Sequence, residues 1–188
     1  MNPKKKSRER ILATAERLFY KFGIGAVGVD RISEEAGVGK MTLYRHFSSK
    51  NALIRAYLER RDHYWRDQFT RAIESGSKSP EDRIVQFFNR METWFSSTDF
   101  CGCAFINADA ERVDDNVTIL IYEHKAMMRQ LIHRQISELD VADPETLTEQ
   151  IFILVEGAIV TARLTRSKAP AQTARKAAMT LIGAAARK

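Results

Sequence analysis

Apolar residues recur at three- and four-residue spacing along almost the whole chain, and this pattern limits the possible folds more than any other feature. Ile11, Leu12, Ala15, Leu18, Phe19 and Phe22 mark one face of a helix that Gly23 ends as a C-cap. A short helix is predicted from about Val29 to Ala36, broken by Gly37, and another from about Lys40 to Phe47. Ser48 or Ser49 then caps a long fourth helix with Leu53, Ile54, Tyr57, Trp65, Phe69 and Ile73 on one side. The run Glu74-Ser75-Gly76-Ser77-Lys78-Ser79-Pro80 reads as a linker, and Pro80, Glu81 and Asp82 suit the first turn of the next helix. That helix carries Ile84, Val85, Phe87, Phe88, Met91, Trp94 and Phe95. After a short segment from about Cys101 to Arg112, Val117 through Leu139 keep the helical period. Asp143-Pro144 opens a further helix, and an alanine-rich one from about Pro170 closes the chain. The expected fold is all-α, with about nine helices.

Charge is distributed unevenly. Residues 1–50 hold eleven Lys/Arg and five Asp/Glu, so they carry the full net charge of +6; residues 51–188 hold nineteen of each sign. A basic block joined to a neutral body suggests a polyanion-binding module on a domain with another task. It argues against a non-specific architectural DNA binder, whose basic charge would spread over much of the surface. No apolar run approaches the ~18 residues that span a bilayer, and the basic start lacks the apolar stretch of a secretory signal, so a cytoplasmic protein with no membrane partner is expected. Two cysteines make no disulfide framework in 188 residues, which agrees with a reducing compartment.

The stretch Val29 to Phe47 has the composition of a helix-turn-helix. Ser33 is small where the two helices approach, Gly37 stands at the turn, and Ile32, Ala36, Val38 and Leu43 face inward. The second helix is then free to enter a major groove with its N-terminal end. Lys40 and Thr42 suit base edges, and Met41 suits a thymine methyl. Tyr44, His46 and Lys50 suit phosphate oxygens, which fix register without reading sequence. Lys4, Lys5, Lys6 and Arg8 form either an arm for the minor groove or a solvated tail.

Residues 8–60 resemble the N-terminal domain of TetR-family regulators. The resemblance is carried by Ala36-Gly37-Val38, by Thr42-Leu43-Tyr44-Arg45-His46-Phe47, and by Lys50 and Leu53. Two positions depart from the family's pattern. Gly28 stands where a capping Ser or Thr is common, and Met41 replaces a small residue. The resemblance implies a homodimer on a palindromic double-stranded operator, with a helix-turn-helix domain over 1–50 that includes Arg45 in its DNA surface. It also implies a ligand-binding and dimerisation domain over 51–188, for an unknown small-molecule effector. Repression relieved by effector is the expected mode. The apo dimer would hold its reading helices about 34–36 Å apart or somewhat more, and the fourth helix would act as the lever.

Within 51–188, an effector pocket is expected among Phe88, Met91, Trp94, Phe95, Phe105, Asn107, His124 and Met128. Leu147, Ile151, Val155, Ala158, Ala162, Ala178, Leu181 and Ile182 are expected at the dimer interface. Cys101 and Cys103 are either small buried hydrophobes or redox-sensing thiols of a regulator with the same fold. His46, His63, His124 and His133 show no zinc spacing with them, so no metal or other cofactor is expected. No nucleophile elbow, phosphate-binding glycine loop or HExxH occurs, and Glu111 and Glu156 look like isolated carboxylates. The chain does not read as an enzyme.

Overall fold

The structure is a computed structural model that describes residues 3–74, 79–111 and 114–186. Among these, nine helices follow one another: α1 (Pro3–Phe22), α2 (Val29–Glu35), α3 (Lys40–His46), α4 (Lys50–Glu74), α5 (Pro80–Phe95), α6 (Ala104–Ala110), α7 (Asp115–Ile136), α8 (Pro144–Thr165) and α9 (Ala169–Ala185). The only extended pairing among the described residues is an isolated bridge between Val141 and Ala186. The linker signal Ser75 to Lys78, and Arg112, lie outside the described residues. No helix among them is long and apolar enough to cross a membrane.

Local chemistry sets the helix starts. Ser49 Oγ accepts the Ala52 N–H at 3.1 Å to cap α4. Ser79 does the same for Asp82 ahead of α5, with Pro80 in the first turn, and Asp143 caps α8 by accepting from Thr146 at 3.0 Å ahead of Pro144. α8 stops where Arg166 adopts the left-handed conformation at φ 52. The chain is helical from Pro3, so Lys5 and Lys6 sit on a helix rather than in an extended arm. Arg8 lies over the Phe47 ring at 5.0 Å; the side chain of Lys4 is not described.

The helices form two compact units. The first comprises residues up to His63 together with Ala104–Tyr122. It therefore runs past residue 50 and takes in α6 and the start of α7. Ile11, Leu18, Ile32, Leu43, Leu53 and Leu58 are fully buried there, and Phe19 packs on Tyr57 with ring centroids 5.6 Å apart. The second unit comprises Tyr64–Cys103 and Glu123–Lys188. Its core is aromatic on one side, where Trp65 stacks on Phe69 at 4.0 Å and Phe69 meets Phe87 at 4.9 Å. Elsewhere α9 packs on both α8 and α5.

Polar ties reinforce that packing. Glu92 of α5 accepts from Lys168 at 3.1 Å and from Gln172 at 3.0 Å, and Arg175 donates to Asn89 at 2.6 Å. The Lys168 hydrogen bond, followed by that of Gln172, holds the Glu92 carboxyl below its ordinary value of 4.5. A depressed folded-state value means that this stabilisation is complete above about 4.5 and is lost as pH falls through the folded value. Glu92→Gln should therefore lower Tm at neutral pH and make its decline from about pH 5 to about pH 3 shallower than in the parent, as read by thermal melts across that range. A second expectation concerns Gly37, which sits at φ +61 with open space around a notional Cβ. Gly37→Ala should cost about 1 kcal/mol in urea unfolding, from backbone strain alone.

Candidate nucleic-acid interface

A helix-turn-helix must hold two short helices at a fixed crossing. Here the turn is fixed by its own backbone. Val38 N–H donates to the Ser33 carbonyl at 3.0 Å, and Gly37 N–H donates to Glu34 at 3.0 Å. Ser33 is buried, and its hydroxyl donates to the Asp30 carbonyl at 2.9 Å, so a small polar residue fits the crossing without an unpaired group. Arg10 of α1 donates to the Gly37 carbonyl at 3.2 Å, tying the turn to the first helix. Gly28 precedes α2 in extended conformation and makes no side-chain cap.

The two faces of α3 differ sharply. Leu43 is 0% exposed, whereas Met41 is 82% exposed. Lys40, Tyr44 and Arg45 share the exposed side, and Thr42 and His46 are half-buried. Arg45 has no ion-pair partner among the described residues. Lys40 is paired at 2.6 Å with Asp30, whose hydrogen bond and charge raise the lysine above its ordinary 10.5. The His46 Nε2 is buried without a hydrogen-bond partner, so any phosphate contact by this ring falls to Nδ1. Lys50 points inward: its Nζ donates to the Ile24 carbonyl at 2.7 Å, leaving two protons for other acceptors.

Much of the basic charge around α3 is engaged by neighbouring carboxylates. Glu35 takes Arg17 at 2.5 Å and Arg31 at 2.9 Å, and the Arg17 hydrogen bond leads in holding its carboxyl below the usual range. Arg60 meets Glu9 at 2.7 Å and Glu16 at 3.0 Å. Arg31–Glu35 is an i,i+4 pair within α2, whereas the Arg17 and Arg60 pairs join different helices and were not legible as such in the sequence.

The arrangement matches known proteins. A family model described as "Bacterial regulatory proteins, tetR family" matches residues 11–57, and one described as "Tetracyclin repressor-like, C-terminal domain" matches residues 80–178. The chain belongs to the TetR family. It is a DNA-binding transcriptional regulator, as the members of that family are. The HTH-type transcriptional repressor NemR of Escherichia coli is 30% identical over 109 residues, 57% of this chain and 55% of NemR, so the match spans about half of that relative. The regulator YjdC of Escherichia coli is 23% identical over 180 residues, 93% of each chain. Among solved structures, a TetR-family transcriptional regulator from Streptomyces coelicolor superposes with a TM-score of 0.91 at 30% identity, over 97% of both chains.

The sites expected in the rest of the chain fare differently. Leu147, Ile151, Val155, Ala158, Ala162, Ala178 and Ile182 are buried inside the single protomer, and Leu181 is half-buried. Within the protomer, α8 and α9 pack on each other and on α5. The exposed apolar residues of α8 are Ile153, Val160 and Leu164, with Gly157 between them. Of the expected pocket residues, Phe88, Met91, Phe95, Phe105, His124 and Met128 are buried, while Trp94 and Asn107 are half-buried. Phe105 and Asn107 belong to the first unit and the others to the second. Phe88 lines a small crevice with Phe87, Leu131, Ile132 and Gln135. His124 sits edge-on to Trp65 at 5.4 Å. Neither carboxylate is isolated. Glu156 binds Lys125, and Glu111 accepts from the backbone of Ile24 and Gly25. No cluster of three metal-ligating side chains occurs among the described residues.

The Asp30–Lys40 pair yields a test. Asp30→Asn should release the Lys40 ammonium and remove a negative charge beside the reading helix. Affinity for random-sequence duplex should rise severalfold at low salt, with log K against log salt steepening by about 0.9 if one more phosphate is neutralised. An unchanged slope would show that Lys40 does not meet phosphate.

Proposed function

We propose that the protein is a ligand-responsive repressor that binds a palindromic operator as a homodimer and leaves it when a small-molecule effector binds. The observation that carries this reading is the two-faced α3, with Leu43 fully buried and Met41 82% exposed at the helix's N-terminal end. That is the end a reading helix presents to base edges. Lys40, Met41 and Thr42 are placed at bases, and Tyr44, Arg45, His46 and Lys50 at phosphates. The operator-binding domain is placed over 1–50 and the sensing and dimerising domain over 51–188, with α4 unbroken from Lys50 to Glu74 as the connecting element.

The dimer surface is assigned to the exposed face of α8. Ile153, Gly157, Val160 and Leu164 follow i, i+4, i+7, i+11 and so form one stripe, with Leu164 78% and Ile153 68% exposed. Nothing lies within 4 Å of a notional Cβ at Gly157 or at Gly183 of α9, so both helices offer a point of close approach. The occupant is a second copy, as two-fold pairing of identical helices requires a self-complementary stripe. The effector site is placed at the crevice beside Phe87, Phe88 and Ile132, which has only about 10 Å³ of open space and so must widen to admit a ligand. Gln135, 6% exposed, presents an Oε1 there without a hydrogen-bond partner. An apolar ligand with one N–H or O–H donor suits such a wall.

A second reading is a thiol-based redox switch. Lys125 Nζ lies 3.7 Å from the Cys103 sulfur and bonds both Glu156 oxygens, at 2.6 and 2.7 Å. An ammonium beside a sulfur stabilises the thiolate, which attacks a peroxide oxygen, expels hydroxide and becomes a sulfenic acid. NemR has been solved in a form described as reduced. Burial of Cys103 at 4% exposure places this reading second.

Selection from random duplexes should return a palindrome. Leu164→Glu should give a monomer by light scattering and weaken binding to that palindrome at least tenfold. A variant that stays dimeric would move the interface elsewhere. An effector screen by thermal shift should find ligands whose stabilisation is lost in Gln135→Leu, whereas peroxide modification of Cys103 with loss of operator binding would favour the redox reading.

A further inference from the structure

The turn between α1 and α2 contains a carboxylate receptor that the operator-binding reading does not use. α1 ends at Gly23, which sits at φ +89 and donates its N–H back to Phe19 at 2.9 Å. The next two backbone N–H groups, of Ile24 and Gly25, both go to Glu111, one residue beyond α6. Ile24 donates to Oε1 at 2.9 Å and Gly25 to Oε2 at 2.5 Å. A Cβ at Gly23 would sit 3.0 Å from Oε1, and one at Gly25 would sit 3.1 Å from Oε2. Both glycines therefore leave room for the carboxylate. The Ile24 carbonyl, from the same residue, receives Lys50 Nζ at 2.7 Å. A second tie lies alongside, where Asn51 donates to Asp114 at 3.1 Å.

Ile24 is thus held from both sides, by an anion on its N–H and a cation on its carbonyl, while its side chain is buried. Its position fixes where the chain enters α2 and hence where α3 is carried. The anion comes from the segment 104–122, which follows directly on Cys103 of the second unit.

We propose that Glu111 is a positioning residue for operator binding: its carboxylate latches the Gly23–Gly25 turn and holds the helix-turn-helix in its reading arrangement. The proposal rests on the DNA-reading role of α3. Coupling through such a latch is reciprocal, so operator binding must also strengthen the latch.

The test uses the full-length protein, a duplex obtained by selection from random DNA, and a random-sequence duplex of equal length. Glu111→Ala should weaken the selected duplex about tenfold, the size of one charged hydrogen bond, and leave random-duplex affinity and its salt slope unchanged. Gly25→Ala should do the same with the carboxylate intact, and the double variant should be no weaker than either single one. Glu111→Gln, which keeps one acceptor, should recover part of the loss. Hydrogen exchange gives a readout that does not depend on any DNA result. The Ile24 and Gly25 amides should exchange faster in both single variants, while the buried amides of α1 do not. In the parent, the selected duplex should slow those two amides further. Unchanged exchange at Ile24 and Gly25 in Glu111→Ala would remove the latch itself. Faster exchange with unchanged operator affinity would overturn its role in positioning. Failure of the parent to select any sequence would instead overturn the DNA-reading premise. Should Glu111→Ala not fold, the Gly25→Ala affinity and exchange decide alone.

Discussion

A seven-residue helix has no stability of its own in water, and the reading head is built from two of them, α2 and α3. What keeps them helical is burial of Ile32 and Leu43, both 0% exposed, where α2 and α3 pack on each other and on α1. Each fully buried aliphatic side chain is worth about 1.5–3 kcal/mol of transfer free energy, which is the scale needed to offset ordering so short a segment. The exposed residues of α3 are therefore free to be chosen for DNA, because none of them holds the helix together. The same packing makes the geometry of α3 a property of α1 and α2 rather than of α3 alone.

What the sequence made legible was local. Ser79-Pro80 and Asp143-Pro144 announce helix starts because the cap and the capped amide lie three residues apart, and both caps form. Gly37 announces a turn because few residues other than glycine sit comfortably at φ +61. Partners far apart in the chain were not legible. Glu111 and Glu156 look unpaired until folding brings the Ile24–Gly25 amides and Lys125 to them. Hydropathy periodicity shows that a helix face is buried but not by what. The strongest stripes of α8 and α9 suggested a dimer interface, and within the protomer most of their residues are buried. The weaker, interrupted stripe through Ile153, Gly157, Val160 and Leu164 is the one left outside.

Net charge also changes meaning once its partners are visible. The +6 of residues 1–50 suggested a polyanion-binding module. Glu35 takes up Arg17 and Arg31, and Asp30 takes up Lys40. These pairs are solvent-exposed, so each is weak and easily exchanged for a phosphate oxygen. A surface whose cations are lightly held in this way keeps its long-range attraction for DNA, since net charge sets the field at a distance. At contact it resists binding any phosphate it meets, because each new pair must displace an old one.

That exchange bears on specificity. A phosphate contact that replaces an internal ion pair gains little unless the duplex also satisfies the residues proposed to face bases, Lys40, Met41 and Thr42. Carboxylates beside the reading helix therefore lower affinity for any duplex more than they lower discrimination between duplexes. Asp30 is the sharpest instance, since among the described residues its carboxylate pairs with Lys40 alone, and it lies one turn from the buried Ser33 at the crossing of α2 and α3. Selection for sequence over mere polyanion binding would favour retaining an acid at that position, even though its charge opposes that of DNA.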